Sequence, residues 1–402
     1  MIARTLTDEE IARARAVTPG CAPELDQVHL NHAGASLPPQ VVVDTQLDYL
    51  QSEATTGGYE VAAERAGELD AVKGSIARLL HARPHEIARF ENATAAWNAA
   101  FWAVPMEAGQ RVLVHDHEYG ANTVAFLRAE EEYGVVVERV PSDDSGQVSV
   151  AAMADALSRG DVALVSLTHV PTNGGLVNPA AGIGALARSA GVPFLLDACQ
   201  AVGQLDLDME AIGCDFLSAT GRKFLRGPRG TGFLYVRESI LDRVRPSQPD
   251  HHGADLVASD RYELAPGAQR FEYWEYDHAA WLGLGAAVEH ALGWGTDRIE
   301  ATVVERAAQL RERLGDAGFR LYDQGVQQCG IVTVGSADPD GPTAEELAAR
   351  LTEHRIHSSL TVAGSARYDF ERRDLPTLVR LSVHYTTTVD ELDRTVDVLA
   401  RT

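Results

Sequence analysis

Residues 192–236 read VPFLLDACQAVGQLDLDMEAIGCDFLSATGRKFLRGPRGTGFLYV. Three largely apolar runs lie within them: VPFLLDA (192–198), CDFLSA (214–219) and GTGFLYV (230–236). Upstream, RVLVHD (111–116), VVVERV (135–140) and VALVSLTHV (162–170) extend the series. Runs this short and this apolar suit strands buried on both faces. Ala-rich helical stretches separate several of them, among them VSVAAMADALSRG and AAGIGALARSAG, which end on Gly160 and Gly191. Strands alternating with helices predict an α/β fold, a mostly parallel sheet covered by helices on both faces.

The flanking regions read differently. Residues 245–280 are rich in His, Asp, Tyr and Trp and weakly periodic, which predicts a long loop or interface segment. Helical patterns follow at GLGAAVEHALGW (283–294) and EATVVERAAQLRERLGDAG (300–318). From Cys329 a smaller α+β unit is expected. Strand 330–335 leads to a helix capped by Thr343 and Glu346, and strand 378–384 leads to a last helix capped by Thr388 and Glu391. Thr7 and Glu10 form a third capping box, opening a helix at the N-terminus. The expected division is a segment 1–29 that packs with the small domain, a large domain 30–285 and a small C-terminal domain 286–402.

Composition excludes several roles. A net charge of −23 repels nucleic acid, whose phosphates require a basic field. No apolar run approaches the ~20 residues that span a bilayer, and the N-terminus lacks the apolar core of a signal peptide, so the chain reads as cytoplasmic. Cys21, Cys199, Cys214 and Cys329 form no CxxC pair, which favours free thiols over a disulfide framework. His251-His252 and His115-x-His117 lack a third ligand, so no metal site is expected.

Lysine is the informative residue. The chain has two, Lys73 and Lys223, while its other 33 basic residues are arginine. Lys73 falls on the polar side of an amphipathic helical pattern, LDAVKGSIARLL, and reads as a solvated charge. Lys223 follows a strand and sits among Thr220, Gly221, Gly227 and Gly230, in a stretch where backbone can approach a ligand. Asp197 ends another strand, where a buried carboxylate needs a cationic or donor partner. In FENATAAWNAA (90–100), Asn92 to Thr94 open a helix whose N-terminus is an anion site. A lysine, a carboxylate and a phosphate-competent helix start are the parts that a pyridoxal phosphate enzyme needs.

From about Asn31 onward the chain resembles the class V, fold-type I pyridoxal phosphate enzymes, the group of cysteine desulfurases and isopenicillin N epimerase. DACQ is similar to the family's Asp-x-x-Gln, which implies Asp197 on the pyridine nitrogen and Gln200 near the ring hydroxyl. TGRKF resembles the Ser-x-His-Lys segment, implying Thr220 at the phosphate, Arg222 in the His position and Lys223 as the Schiff-base lysine. The same resemblance implies phosphate donors from Ala93 and Thr94, ring stacking by Tyr119 in HEYGAN, and Thr172 in THVPTNGG near ring and substrate. Arg380 in RLSVHY is implied as the clamp on the substrate carboxylate, with Asn31, His32, Tyr59 and Glu275 as further substrate contacts. The resemblance also implies a homodimer with the site near its interface and a small amino-acid-derived substrate.

Two departures matter. The stretch RIHSSLTVAGSARYDF (355–370), where desulfurases carry the sulfur-accepting cysteine, has none. Glu275 stands where many relatives use Thr to reach the phosphate across the dimer interface. NHAGASLPP, GGYEVAAE, HEYGAN and GRKFLRGPRGTG look closest to C–S lyases of the ergothioneine-pathway type. The implied reaction is β-elimination from an S-substituted cysteine or its sulfoxide, giving pyruvate, ammonia and a sulfur product. An aminotransferase, epimerase or decarboxylating deaminase is the alternative on the same scaffold. A non-catalytic relative that binds an amino-acid-like ligand is the third.

Overall fold

The computed structural model describes residues 4–401. Seven strands form the large sheet: β1 (Ile87–Phe90), β2 (Arg111–Val114), β3 (Val136–Arg139), β4 (Val162–Thr168), β5 (Phe194–Asp197), β6 (Phe216–Thr220) and β7 (Gly232–Val236). Their spatial order is β1-β7-β6-β5-β4-β2-β3, and β7 alone runs against its neighbours. The sheet is thus mostly parallel, with helices on both faces, as the alternating pattern implies. Adjacent residues of one strand enter different cores. Leu196 and Leu113 pack with one set of helices, while Leu195 and Val112 pack with the other.

Register gathers the chemistry at one edge. Thr168 at the end of β4 pairs with Asp197 at the end of β5, and Asp197 pairs with Ser218 of β6. β6 ends on Thr220, and Lys223 lies just beyond it. The carboxyl ends of parallel strands therefore converge here, where open α/β sheets bind ligands.

A second sheet has four antiparallel strands in the order Phe319–Leu321, Ile331–Ser336, Leu378–Ser382, Ser359–Thr361. Its core includes Ile11 and Ala14 from the N-terminal helix Asp8–Ala16 and Leu6 just before it, together with Val303, Leu310, Leu347 and Leu392. Capping boxes at Thr7–Glu10, Thr343–Glu346 and Thr388–Glu391 start three helices. The helix His278–Trp294 runs through position 285, and the next, Thr296–Asp316, follows Gly295. Among the described residues no helix is long and apolar enough to cross a membrane.

Two expectations need correction. Residues 245–280 are not simply a loop, because they hold an antiparallel hairpin, Ala254–Ala258 with Arg261–Leu264, and a helical turn Gly267–Phe271. Lys73 is not a solvated charge either. Its Nζ lies 2.8 Å from Glu272, a carboxylate with no exposed side-chain surface. Arg89 (2.7 Å) and His252 (3.1 Å) bind the same carboxylate. Helical periodicity placed Lys73 on a polar face but carried no trace of a partner that is close only in space.

The interior holds several neutral histidines. Burial pushes His169 down to about 4, and burial together with Arg226 pushes His384 down to about 3. His32 and His115, also buried, are held well below their usual value for the same reason. An unfolded histidine takes its proton near 6.5, so between that pH and about 4 the unfolded chain binds more protons than the folded one. Their stabilisation is therefore complete above pH ~7 and is lost as pH falls. A group shifted as far as His169 would lose about 2 kcal/mol by pH 5. Carboxyls raised by burial, Glu118, Asp116, Asp215 and Glu300, work in the opposite direction, while His29 and His290, each lowered to about 4, add to the histidines. Urea unfolding of the apo chain should show a clearly lower midpoint at pH 5 than at pH 7.5, and equal midpoints would contradict this account.

Candidate active site

The phosphate end of the cleft begins where β1 stops. Asn92 caps the helix Ala93–Phe101, its Oδ1 accepting from the Ala95 amide at 2.8 Å. The amides of Ala93 and Thr94 precede the first intrahelical bond and face the cleft with the positive end of the helix dipole. Gly232 permits this approach. A Cβ there would lie 2.7 Å from the Asn92 carbonyl carbon and 2.7 Å from the Ala219 oxygen. Thr220 lies on the same wall, its hydroxyl donating to the Thr231 carbonyl at 3.1 Å.

At the opposite end Asp197 is buried. Its Oδ1 accepts from the Cys199 amide (2.9 Å) and its Oδ2 from Asn122 Nδ2 (3.1 Å). No cation pairs with it among the described residues. Lys223 lines the same cleft, is buried and has no carboxylate partner among them either. Gln200 donates to the Ala33 carbonyl (3.1 Å) and to Thr172 Oγ1 (3.4 Å), which leaves its buried Oε1 without a partner. Tyr119, Thr172, Arg222 and Cys199 complete the wall. Burial raises the Cys199 thiol, although Lys223 beside it pulls the other way.

Arg380 adjoins this wall. It donates to Ser359 Oγ (3.1 Å) and to Thr172 O and Oγ1 (2.9 and 2.8 Å) but meets no carboxylate. Burial, then repulsion from Arg222, brings it down to about 10.

The other expected contacts are placed elsewhere. The His32 ring bonds Ser36 Oγ (2.9 Å) and packs 4.9 Å from His384 and 4.8 Å from His29, so it faces a histidine cluster rather than the cleft. Asn31 bridges to Ser382. The loop they belong to meets the cleft through backbone instead, with the Ala33 carbonyl on Gln200 and the Gly34 carbonyl on Arg222. Tyr59 and Glu275 are exposed and do not line the cleft of their own subunit.

A matching family model, aminotransferase class-V, spans residues 28–395. The chain belongs to the aminotransferase class-V family. Among curated relatives of this class V chain is a probable cysteine desulfurase of Methanothermobacter thermautotrophicus, 27% identical, covering 91% of the chain and 92% of the relative. A probable hercynylcysteine sulfoxide lyase of Mycobacterium tuberculosis is 29% identical over 94% of the chain and 90% of the relative. Isopenicillin N epimerase of Streptomyces clavuligerus is 30% identical over 81% and 82%. Among solved structures, apo cysteine desulfurase from Thermococcus onnurineus NA1 has a TM-score of 0.89 at 21% identity, covering 99% of this chain and 98% of that one.

The cleft fits the family's cofactor, pyridoxal phosphate, on its own geometry. An uncompensated buried carboxylate suits a protonated ring nitrogen, an orphaned amide oxygen suits a ring hydroxyl, and free helix amides suit a phosphate. The chain is a pyridoxal phosphate-dependent class V enzyme. Reading the sequence missed Glu118, Asn122 and Thr168. The i,i+4 spacing of Glu118 and Asn122 inside HEYGAN was the signal that could have found the first two.

Asp197→Asn keeps the side-chain shape but removes the charge that a ring cation would meet. Affinity for pyridoxal phosphate should fall about tenfold to a hundredfold in equilibrium dialysis, the scale of one charge-assisted hydrogen bond. Unchanged affinity would show that Asp197 does not face the ring.

Proposed function

We propose that this enzyme cleaves the C–S bond of an S-substituted cysteine or its sulfoxide. A thioether R–S–CH2–CH(NH3+)–COO− plus water would give RSH, pyruvate and ammonium, and a sulfoxide would give RSOH in place of RSH. The observation that carries this reading is a complete lysine, carboxylate and arginine set without a mobile thiol to accept sulfur. Residues 355–370 contain no cysteine. Cys214 and Cys329 are buried and raised to about 12 and about 11. Cys199 is the one cysteine lining the cleft, and burial holds its thiol up, away from the reactive thiolate.

Bound pyridoxal phosphate supplies the electron sink that lets an α-proton leave. Arg380 binds the substrate carboxylate with two parallel N–H groups and so orients the α-carbon toward Lys223. The Lys223 amine, buried on the wall of the cleft, takes the α-proton. Asp197 holds a proton at the ring nitrogen by accepting it in a charge-assisted bond. The 29% identical sulfoxide lyase supports this assignment, while the 30% identical epimerase supports a second reading, inversion at the α-carbon on the same residues.

Pyruvate formation from S-substituted cysteines and their sulfoxides decides between them. Pyruvate that disappears in Lys223→Ala is expected. Racemised substrate, or an amino group transferred to an added 2-keto acid, with no pyruvate overturns the lyase reading.

The proposal includes a homodimer. Val41, Leu47 and Leu50 are exposed on the helix Gln40–Thr56, and Tyr59 and Trp274 are exposed as well. A second copy would cover these residues and bring Tyr59 and Glu275 toward the neighbouring cleft. Light scattering after size exclusion should give twice the chain mass, and charged substitutions at Leu47 and Leu50 should reduce it. A monomeric wild-type chain would remove the dimer from the proposal.

A further inference from the structure

One buried ionisable group near the cleft has no part in the steps above. Glu118 has no exposed surface and points beneath Tyr119 to the end of β4. Its Oε1 accepts from the Thr168 amide (3.2 Å), and its Oε2 accepts from Thr168 Oγ1 (3.0 Å) and Asn122 Nδ2 (3.2 Å). That same Asn122 nitrogen donates to Asp197 Oδ2 at 3.1 Å. One amide nitrogen therefore spends its two hydrogens on two carboxyl groups. Among the described residues no lysine, arginine or histidine pairs with either carboxyl.

We propose that Glu118 is a positioning residue that sets the negative charge at the ring-nitrogen end of the cofactor site, acting through the Asn122 amide it shares with Asp197. The proposal rests on the reading that pyridoxal phosphate binds with its ring nitrogen at Asp197. The local hydrogen bonding accommodates both charge states of Glu118. Ionised, it accepts three donors. Protonated, its Oε2–H can donate to Thr168 Oγ1, because a hydroxyl either donates or accepts, and Asn122 still finds a lone pair. Burial first, with repulsion from Asp197 adding to it, raises the carboxyl to about 7, so its charge changes within the working range of an enzyme. The titratable groups facing it are Asp197 from β5 and Tyr368 from the helix Arg367–Arg373, and burial raises Tyr368 so that it stays neutral through this range.

The sign follows from Coulomb's law. Above pH ~7 the site presents two negative charges to a ring cation, and below it one. An extra anion favours the cationic form of the bound cofactor, so wild type should bind pyridoxal phosphate more tightly at pH 8.5 than Glu118→Gln does, by about fivefold to tenfold. At pH 6 the two should bind alike. The pH midpoint of the bound cofactor's visible absorbance should be lower in Glu118→Gln. A merely structural glutamate would weaken binding equally at both pH values and leave that midpoint alone, and either result overturns the proposal.

A measurement on the unsubstituted chain guards against misfolding of the variant. With side-chain carboxyls of glutamate labelled with 13C, one apo wild-type resonance should titrate near 7, the value set by the burial of Glu118. The proposal fails if every labelled carboxyl titrates in the ordinary acidic range. If wild type acquires no visible band with pyridoxal phosphate, the cofactor reading fails instead. That outcome is separate from a wild-type band whose pH response Glu118→Gln leaves unchanged, which sinks the Glu118 proposal alone.

Discussion

Asp197 is a carboxylate buried at the end of a sheet strand, held by an amide N–H and an asparagine and paired with no cation among the described residues. An uncompensated charge in such a place costs several kcal/mol, so the chain keeps it only by building everything around it. β5 must end there, β4 and β6 must present Thr168 and Ser218 beside it, and the Cys199 amide must turn back onto it. The parallel sheet is the means of meeting this constraint, because its register sets Thr168, Asp197 and Ser218 side by side near the ends of three strands.

Three other buried carboxylates, Glu272, Asp369 and Asp323, behave differently, and the contrast points to the cleft. Glu272 is surrounded by Arg89, Lys73 and His252, and the cluster ties the segment before His278 to the first sheet strand. Asp369 is closed by Arg372, Arg373 and Asn173. Asp323 is closed by Arg311 at 2.8 Å. In each case the chain supplies the counter-charge, which is the arrangement of an ion pair that holds structure together. Among the described residues Asp197, Lys223 and Arg380 are left without an ion-pair partner; the first two line one cleft and the third bonds its wall at Thr172. Groups that the fold leaves electrically incomplete are groups that a ligand completes.

What could be read from the sequence was what chain order encodes. The strand runs, the three capping boxes and the glycine stops are local patterns, and they lie where the runs placed them. Asp197 and Lys223 were legible for a related reason, since each directly follows a strand and the carboxyl ends of such strands converge. Contacts across space were not legible. The Lys73–Glu272 pair joins residues on unrelated elements, and no periodicity links them. His32 lies beside cleft-facing backbone yet turns its ring toward His384, a rotamer decision that packing makes and spacing does not. Glu118 stands beside Tyr119 in HEYGAN, and nothing in chain order shows that its carboxyl reaches Thr168.

The departure from the desulfurase pattern also has a structural side. The helix Arg367–Arg373 follows the stretch that lacks a cysteine, and its Asp369 bonds Asn173 at 2.8 Å while lying 3.5 Å from His117. Those two residues adjoin Thr172 and the Glu118–Tyr119 step, so the helix is fastened to two walls of the cleft at once. Gly120 lets the loop before it pass, since a Cβ there would lie 2.6 Å from the Gly364 carbonyl oxygen. A loop that carries sulfur away must swing its thiol in and out of the site. A loop anchored by a buried, fully paired aspartate and a backbone-on-backbone crossing resists such a swing, because release would strand Asp369 without its partners. The missing cysteine and the fastened helix therefore point the same way, toward the proposed reading in which no thiol of this loop takes the sulfur away.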